Sequence, residues 1–303
     1  MSKNSRHRQA VNGWIAINKP SGYNSTKIVS IIKRYYNAQK VGHAGTLDPL
    51  AQGVLPIAMG EATKTIIFCQ DAIKEYIFTV KWTQETDSCD SEGKVISVCD
   101  KVPNKDEILI SLPMFIGTIS QTPPSFSAIK IDGKRAYDLA RNGEEFFIKP
   151  RLITIFALKL IEHNHDEFTS TFKVKCSKGT YIRSLARDLA EKLTTKAHVI
   201  SLIRTQVGNF YLDNAISLEV FDNKMYKPSS DGLLLAVDSV LDDIPVLLSN
   251  PEEAIAIRQG RNIKLKDHNY IIGEKLIIKS EGKLVAIGEV GNGFVKPSRV
   301  FNI

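Results

Sequence analysis

The stretch V-G-H-A-G-T-L-D-P-L-A-Q-G, Val41 to Gly53, holds the first acidic residue of the chain, Asp48. The charged residues before it are all basic: Lys3, Arg6, Arg8, Lys19, Lys27, Lys33, Arg34 and Lys40. Two local readings compete. Asp is a favoured helix N-cap and Pro a favoured first helical residue, so Asp48-Pro49 can open a helix. Pro49 also keeps Asp48 itself out of the helical region. Alternatively, Asp48 is a lone anion kept for chemistry inside a positive field. The glycines at 42, 45 and 53 do not form a phosphate loop, because G-x-x-x-x-G-K-[ST] is absent.

With 303 residues, the chain can form one large domain or a large and a small one. Hydrophobic residues make up 43% and charged residues 24%, the balance of a soluble globular protein. No apolar run approaches the roughly 20 residues of a membrane helix. The basic, polar N-terminus carries no apolar signal core, so a cytoplasmic protein is expected. Cys69, Cys89, Cys99 and Cys176 have the spacing of neither a zinc site nor a disulfide framework. The first 47 residues carry +8 against +7 for the whole chain, which leaves the remainder at −1. Such a concentrated basic region suits a phosphate-bearing partner, although a solvated basic face has the same charge.

Apolar spacing predicts the main elements. Ile28, Ile31, Ile32, Tyr35 and Tyr36 form one helical face, with Ser25 or Thr26 as its cap. Glu75–Trp82 alternates as a strand, with Lys94–Cys99 as its hairpin partner. The acidic link between them, Asp87–Gly93, lacks the ligand spacing of a calcium loop and reads as a turn. Thr122–Gly143 opens as a proline-rich turn, passes a short strand and turn, and closes as a helix at Asn142-Gly143. A strand through Phe172, Val174 and Cys176 leads into a helix with the stripe Ile182, Leu185, Ala186, Leu189, Ala190 and Leu193. Arg183 falls in its first turn, off the buried stripe. A cation is mildly disfavoured there, which suggests an anionic partner, although a surface Arg reaching solvent fits the same position. His163 and His165 read as part of a turn rather than a metal site. Short strands from about Pro251 suggest a small, separate β-barrel-like unit.

Several blocks together carry a resemblance. I-N-K-P-S-G, K-V-G-H-A-G-T-L-D-P-L-A-Q-G, K-E-Y, P-S-F-S-A-I-K, C-S-K-G-T-Y-I-R and A-H-V-I-S-L-I-R occur in the order seen in bacterial tRNA pseudouridine-55 synthases of the TruB type. The chain resembles that family well over residues 11–210, and more loosely afterwards, where the family carries a PUA domain. The resemblance implies an α+β pseudouridine synthase fold, with a central, mostly antiparallel mixed sheet flanked by helices. It divides the chain into a basic tail at 1–10, a catalytic domain at 11–245 and a PUA-like RNA-binding domain at 246–303. An RNA-gripping insertion is expected at 122–151.

The implied reaction isomerises uridine 55 of the tRNA T loop to pseudouridine, with no cofactor, metal or guide RNA. The N1–C1′ bond breaks, the uracil rotates, and C5 bonds to C1′. Carried over, Asp48 is the catalytic aspartate and Arg183 its cationic partner. Tyr76 packs on the target base and could take part in proton removal, although a phenol with a pKa of about 10 is a poor base at neutral pH. His43 fills the space left by the flipped nucleotide. Tyr181 and Leu202 line the uridine pocket, and Lys19 belongs to the substrate-binding set. The expected partner is tRNA, gripped at its T stem-loop and acceptor end by a monomer acting away from any membrane. The rivals are a non-catalytic RNA-binding protein, a guide-dependent synthase, and a carboxylate hydrolase. The last needs a second placed acid that the sequence does not reveal.

Overall fold

The computed structural model describes residues 8–221, 232–265 and 270–303, so most of the basic tail at 1–10 lies outside the described residues. The chain opens with β1 (Gly13–Lys19), α1 (Ser25–Tyr35), β2 (Val41–His43) and β3 (Gln52–Met59). Then come α2 (Ile66–Asp71), β4 (Lys74–Trp82), β5 (Gln84–Thr86), β6 (Val95–Val98), α3 (Lys105–Ser111) and β7 (Gly117–Gln121). The 122–151 segment contributes β8 (Lys130–Ile131), β9 (Lys134–Arg135) and α4 (Ala136–Arg141). It returns into β10 (Arg151–Asn164), followed by β11 (Thr169–Cys176), α5 (Ile182–Lys192), β12 (Ala197–Val207), β13 (Phe210–Tyr211) and β14 (Ile216–Ser217). The last part holds β15 (Val246–Leu248), α6 (Pro251–Arg258), β16 (Ile263–Lys264), β17 (Lys275–Ser280), β18 (Lys283–Val290) and β19 (Phe294–Val300).

Among the described residues, the main sheet runs β14-β1-β3-β12-β4-β11-β10-β7, with β2 on β3 and β13 on β12. The β1–β14 and β3–β12 pairs are parallel and the others antiparallel. The alternation of β4 decides its place. Tyr76, Phe78, Val80 and Trp82 are buried, and β11 and β12 flank the strand on its two edges. Helices α1 and α5 bury Ile28, Ile32, Leu185 and Leu189 in the same core as Phe78 and Phe172.

Two local expectations are corrected. Lys94–Cys99 does not pair with β4. Thr83 takes a positive φ of 79°, which turns the chain out of the sheet immediately after Trp82. Strand β6 therefore pairs with β5 in a separate two-stranded ribbon. The cap of α1 is Asn24, whose side chain accepts from Lys27 N at 2.8 Å. Ser25 is occupied elsewhere, as described below.

The second sheet, β15-β17-β18-β19-β16, is β-rich and consistent with a PUA-like domain. It joins the main sheet through one apolar cluster that includes Trp14, Phe210, Ile277, Ile287 and Phe301. Polar ties reinforce the seam: Lys64 Nζ donates to Val300 O at 2.7 Å, and Arg299 donates to Lys64 O at 2.7 Å. No described helix is long and apolar enough to cross a membrane.

Strands β3 and β12 pair in parallel at Gly53 and Arg204. Gly53 has φ +98°, and a Cβ there would overlap the Arg204 carbonyl oxygen. Gly53→Ala is expected to destabilise the fold by more than about 2 kcal/mol, combining backbone strain with a steric clash. Urea unfolding at 25 °C checks this, and an unchanged midpoint would mean the strands can separate there freely.

Candidate active site

Asp48 caps no helix. Ala51 N donates to Asp48 O at 3.1 Å, closing a turn that feeds straight into β3. The loop before and after it is held from several directions. Ser25 Oγ donates to Leu47 O at 3.0 Å and accepts from Leu47 N at 2.9 Å. Gly22 N donates to Pro49 O at 2.9 Å, and Lys19 Nζ reaches the same carbonyl at 3.2 Å. Arg204 donates to Gly45 O at 3.1 Å. A carboxylate on a loop pinned this way has little freedom to leave its position.

Arg183 meets Asp48 from the first turn of α5. Its Nε lies 2.9 Å from Asp48 Oδ2. The Nε–H is not aligned on that oxygen, so the contact is an ion pair rather than a formed hydrogen bond. The guanidinium also donates to Ser88 O at 2.9 Å and Phe126 O at 3.0 Å, and lies 3.3 Å from Asp90 Oδ2. Arg183 is off the apolar stripe as expected, but it is only 5% exposed, on a second buried face.

Asp90 escaped the sequence reading, which took Asp87–Gly93 as a plain turn. It is 2% exposed, and its Oδ1 accepts from Ser88 Oγ and from Glu92 N. The only available signal was the density of acids in that turn, and solvent-exposed turns have the same composition. Asp48 differs from Asp90 in access: its side chain is 36% exposed while Arg183 is sealed beneath it. Of the two carboxylates on Arg183, Asp48 is therefore the one that can reach a ligand. Glu92 also lines the cleft, and burial, followed by the charges of Asp90 and Asp48, raises its pKa.

The other expected residues separate into groups. Tyr76 is buried on β4 opposite Arg204, and Leu202 is buried opposite Phe78. Burial pushes the pKa of the Tyr76 phenol up, and the Asp48 charge acts in the same direction. Burial likewise raises that of Tyr181, with Asp48 again close enough to contribute. The Tyr181 backbone is clamped by Gln121, whose amide accepts from Tyr181 N at 2.8 Å and donates to Tyr181 O at 3.1 Å. His43 lines the cleft with Asp48, and burial and the Arg204 charge lower its pKa, which keeps the ring neutral at neutral pH. Lys19 is set apart from these residues. It is fully buried, donates to three backbone carbonyls, and its pKa is lowered to about 8 by burial. It latches the Asp48 loop and, like Tyr76, Tyr181 and Leu202, is not among the residues that line the cleft. His163 bonds Ser170 at 2.9 Å, and no group of three metal-ligating side chains occurs among the described residues.

The cleft over Asp48 has a volume of about 980 Å³. Asp48, Asp90, Glu92 and Arg183 form one wall, and Lys130, Arg135, Tyr137 and Arg141 of the 122–151 segment form the other. Arg135 and Arg141 both lie over the Tyr137 ring, at 5.7 and 5.6 Å. A polyanion can therefore be held by the basic wall while one exposed carboxylate faces its sugar or base.

Known proteins share this chain's sequence and fold. Residues 33–182 match the family model for the TruB family pseudouridylate synthase N-terminal domain, and residues 183–244 match that for the tRNA pseudouridylate synthase B C-terminal domain. A tRNA pseudouridine synthase B of Caulobacter vibrioides is 44% identical over 97% of each chain. Its counterpart in Rickettsia bellii is 45% identical, over 96% of this chain and 98% of the relative. The crystal structure of a Cbf5-Nop10-Gar1 complex aligns with a TM-score of 0.72 at 25% identity, over 95% of this chain and 84% of that one.

Removing Asp90 leaves the buried Arg183 short of a carboxylate. Asp90→Ala is expected to cost about 3 kcal/mol of folding stability, read as a lowered urea midpoint. A wild-type midpoint would mean that water replaces the lost charge.

Proposed function

The chain belongs to the TruB family of pseudouridylate synthases, and from that membership we propose that it converts uridine 55 in the T loop of tRNA to pseudouridine without a guide RNA. Asp48 is the reacting carboxylate. The observation that carries this is its half-exposed position 2.9 Å from a buried arginine, on a loop fixed from both sides. Arg183 orients the carboxylate and balances its charge, and Asp90 holds Arg183 in turn.

The target nucleotide leaves the T-loop stack and enters the cleft, at an unstacking cost of a few kcal/mol. Tyr76 and Leu202 pack against the base, Tyr181 closes the pocket, and His43, as a neutral ring, occupies the space the base leaves. The raised pKa of Tyr76 keeps it a phenol at neutral pH, so packing and hydrogen bonding are its main contributions. Lys130, Arg135 and Arg141 take backbone phosphates, a contribution that weakens as salt rises. The PUA-like domain adds contacts toward the acceptor end. The hydrolase reading gains an acid in Glu92 but conflicts with the family. The Cbf5 complexes share the fold, and their names record protein partners and, in one, an H/ACA sRNP. The relatives at 43–45% identity are named as tRNA enzymes.

Incubating the purified protein with unmodified tRNA transcript, without guide RNA, tests this. Wild type should form pseudouridine in the T loop, and Asp48→Asn should lower the rate by at least about 10³-fold while still binding tRNA. Binding without product in the wild type would favour the non-catalytic rival.

A further inference from the structure

One buried cation in the catalytic domain holds more charge than its backbone contacts to the Asp48 loop require. Arg204 on β12 is 1% exposed. Its Nε donates to Val54 O at 2.8 Å and a second nitrogen donates to Gly45 O at 3.1 Å, and it stands opposite the buried Tyr76 in the β4–β12 register, where its charge acts against the burial that raises the Tyr76 pKa. These partners are neutral oxygens, and among the described residues no carboxylate pairs with it. Burying an uncompensated cation is costly. The neighbours record its field: with burial as the leading cause, Arg204 helps lower the pKa values of His43, Lys74 and Lys19. The floor beneath Tyr76 is thus positive, whereas the exposed group above it is Asp48.

The reaction creates a need for that potential. When N1–C1′ breaks, its electron pair goes to the uracil, and Asp48 takes up the electron deficiency at C1′. Until C5 donates a pair to C1′ and releases the Asp48 carboxylate, the uracil is an anion; the neutral adduct then loses its C5 proton while N1 gains one. Arginine has no acceptor, so in a hydrogen bond between the two Tyr76 accepts from Arg204. The phenolic proton is then free to point away from Arg204, toward the base, as a donor strengthened by the cation behind it.

We propose that Arg204 is a positioning residue for the departing uracil, stabilising its anion through the Tyr76 hydroxyl and a preorganised positive field. This rests on the reading that Tyr76 faces the target base.

The test compares single-turnover rates on T stem-loop RNAs carrying uridine or 5-fluorouridine at the target position. Fluorine stabilises the uracil anion, so cleavage of the fluorinated nucleotide needs less help. Arg204→Gln should slow loss of uridine by about 30-fold or more but loss of 5-fluorouridine by less than about 5-fold. Equal losses on the two substrates would assign Arg204 to structure alone. Circular dichroism and RNA binding establish that the variant is folded. If it is not, Arg204→Lys carries the comparison. Its buried amine loses its charge as pH rises, so the uridine rate should fall more steeply than the 5-fluorouridine rate, and parallel profiles would overturn the proposal. Asp48→Asn is the control for the site itself. Retained activity in that variant would remove the reading of Asp48, whatever the Arg204 result.

Discussion

The Arg183 guanidinium ties together segments that are far apart in the chain. Its ion pair fixes the carboxylate of Asp48, and its other contacts reach Ser88, Asp90 and Phe126. The Asp48 loop, the acidic turn and the root of the 122–151 segment therefore share one charge. A guanidinium can serve several acceptors at once because its donors are fixed in a rigid fork. A lysine at the same place would offer one point charge and could not span these groups.

The loop that presents Asp48 is built on the same economy of buried polar groups. Lys19, Ser25 and Arg204 each satisfy loop backbone that would otherwise be orphaned. These side chains come from β1, the first turn of α1, and β12. The loop is therefore a product of sheet and helix packing and does not hold its shape by local propensity alone. Gly53 permits this construction, because its absent side chain lets β3 lie against Arg204. The cost is a buried lysine, Lys19, and a buried arginine, Arg204, packed against that loop.

Much of the framework was legible beforehand. The alternation of β4 and the stripes of α1 and α5 predicted buried residues correctly, because period alone tells a sheet face from a helix face. The failures were at junctions. Thr83 turned the chain away from the expected hairpin, and no local pattern announces a positive φ at a β-branched residue. Asn24 displaced Ser25 as the cap because Ser25 had a distant partner in Leu47. Lys19 was expected in the substrate-binding set, and its depth in the fold ties it to the carbonyls of the Asp48 loop.

The sequence by itself determined the helices and the central strands, the concentration of basic charge at one end, and the family resemblance that singled out Asp48, Tyr76 and Arg183. Those properties reside in residue type and order. The tertiary structure decided that Asp48 begins no helix, that Asp90 completes the arginine's surroundings, and that Arg204 lies beneath Tyr76. Asp90 and Arg183 are 93 positions apart, and Arg204 and Gly45 are 159 apart. No spacing rule connects such distances. Only the sheet register and the need to pair buried charges bring these groups together.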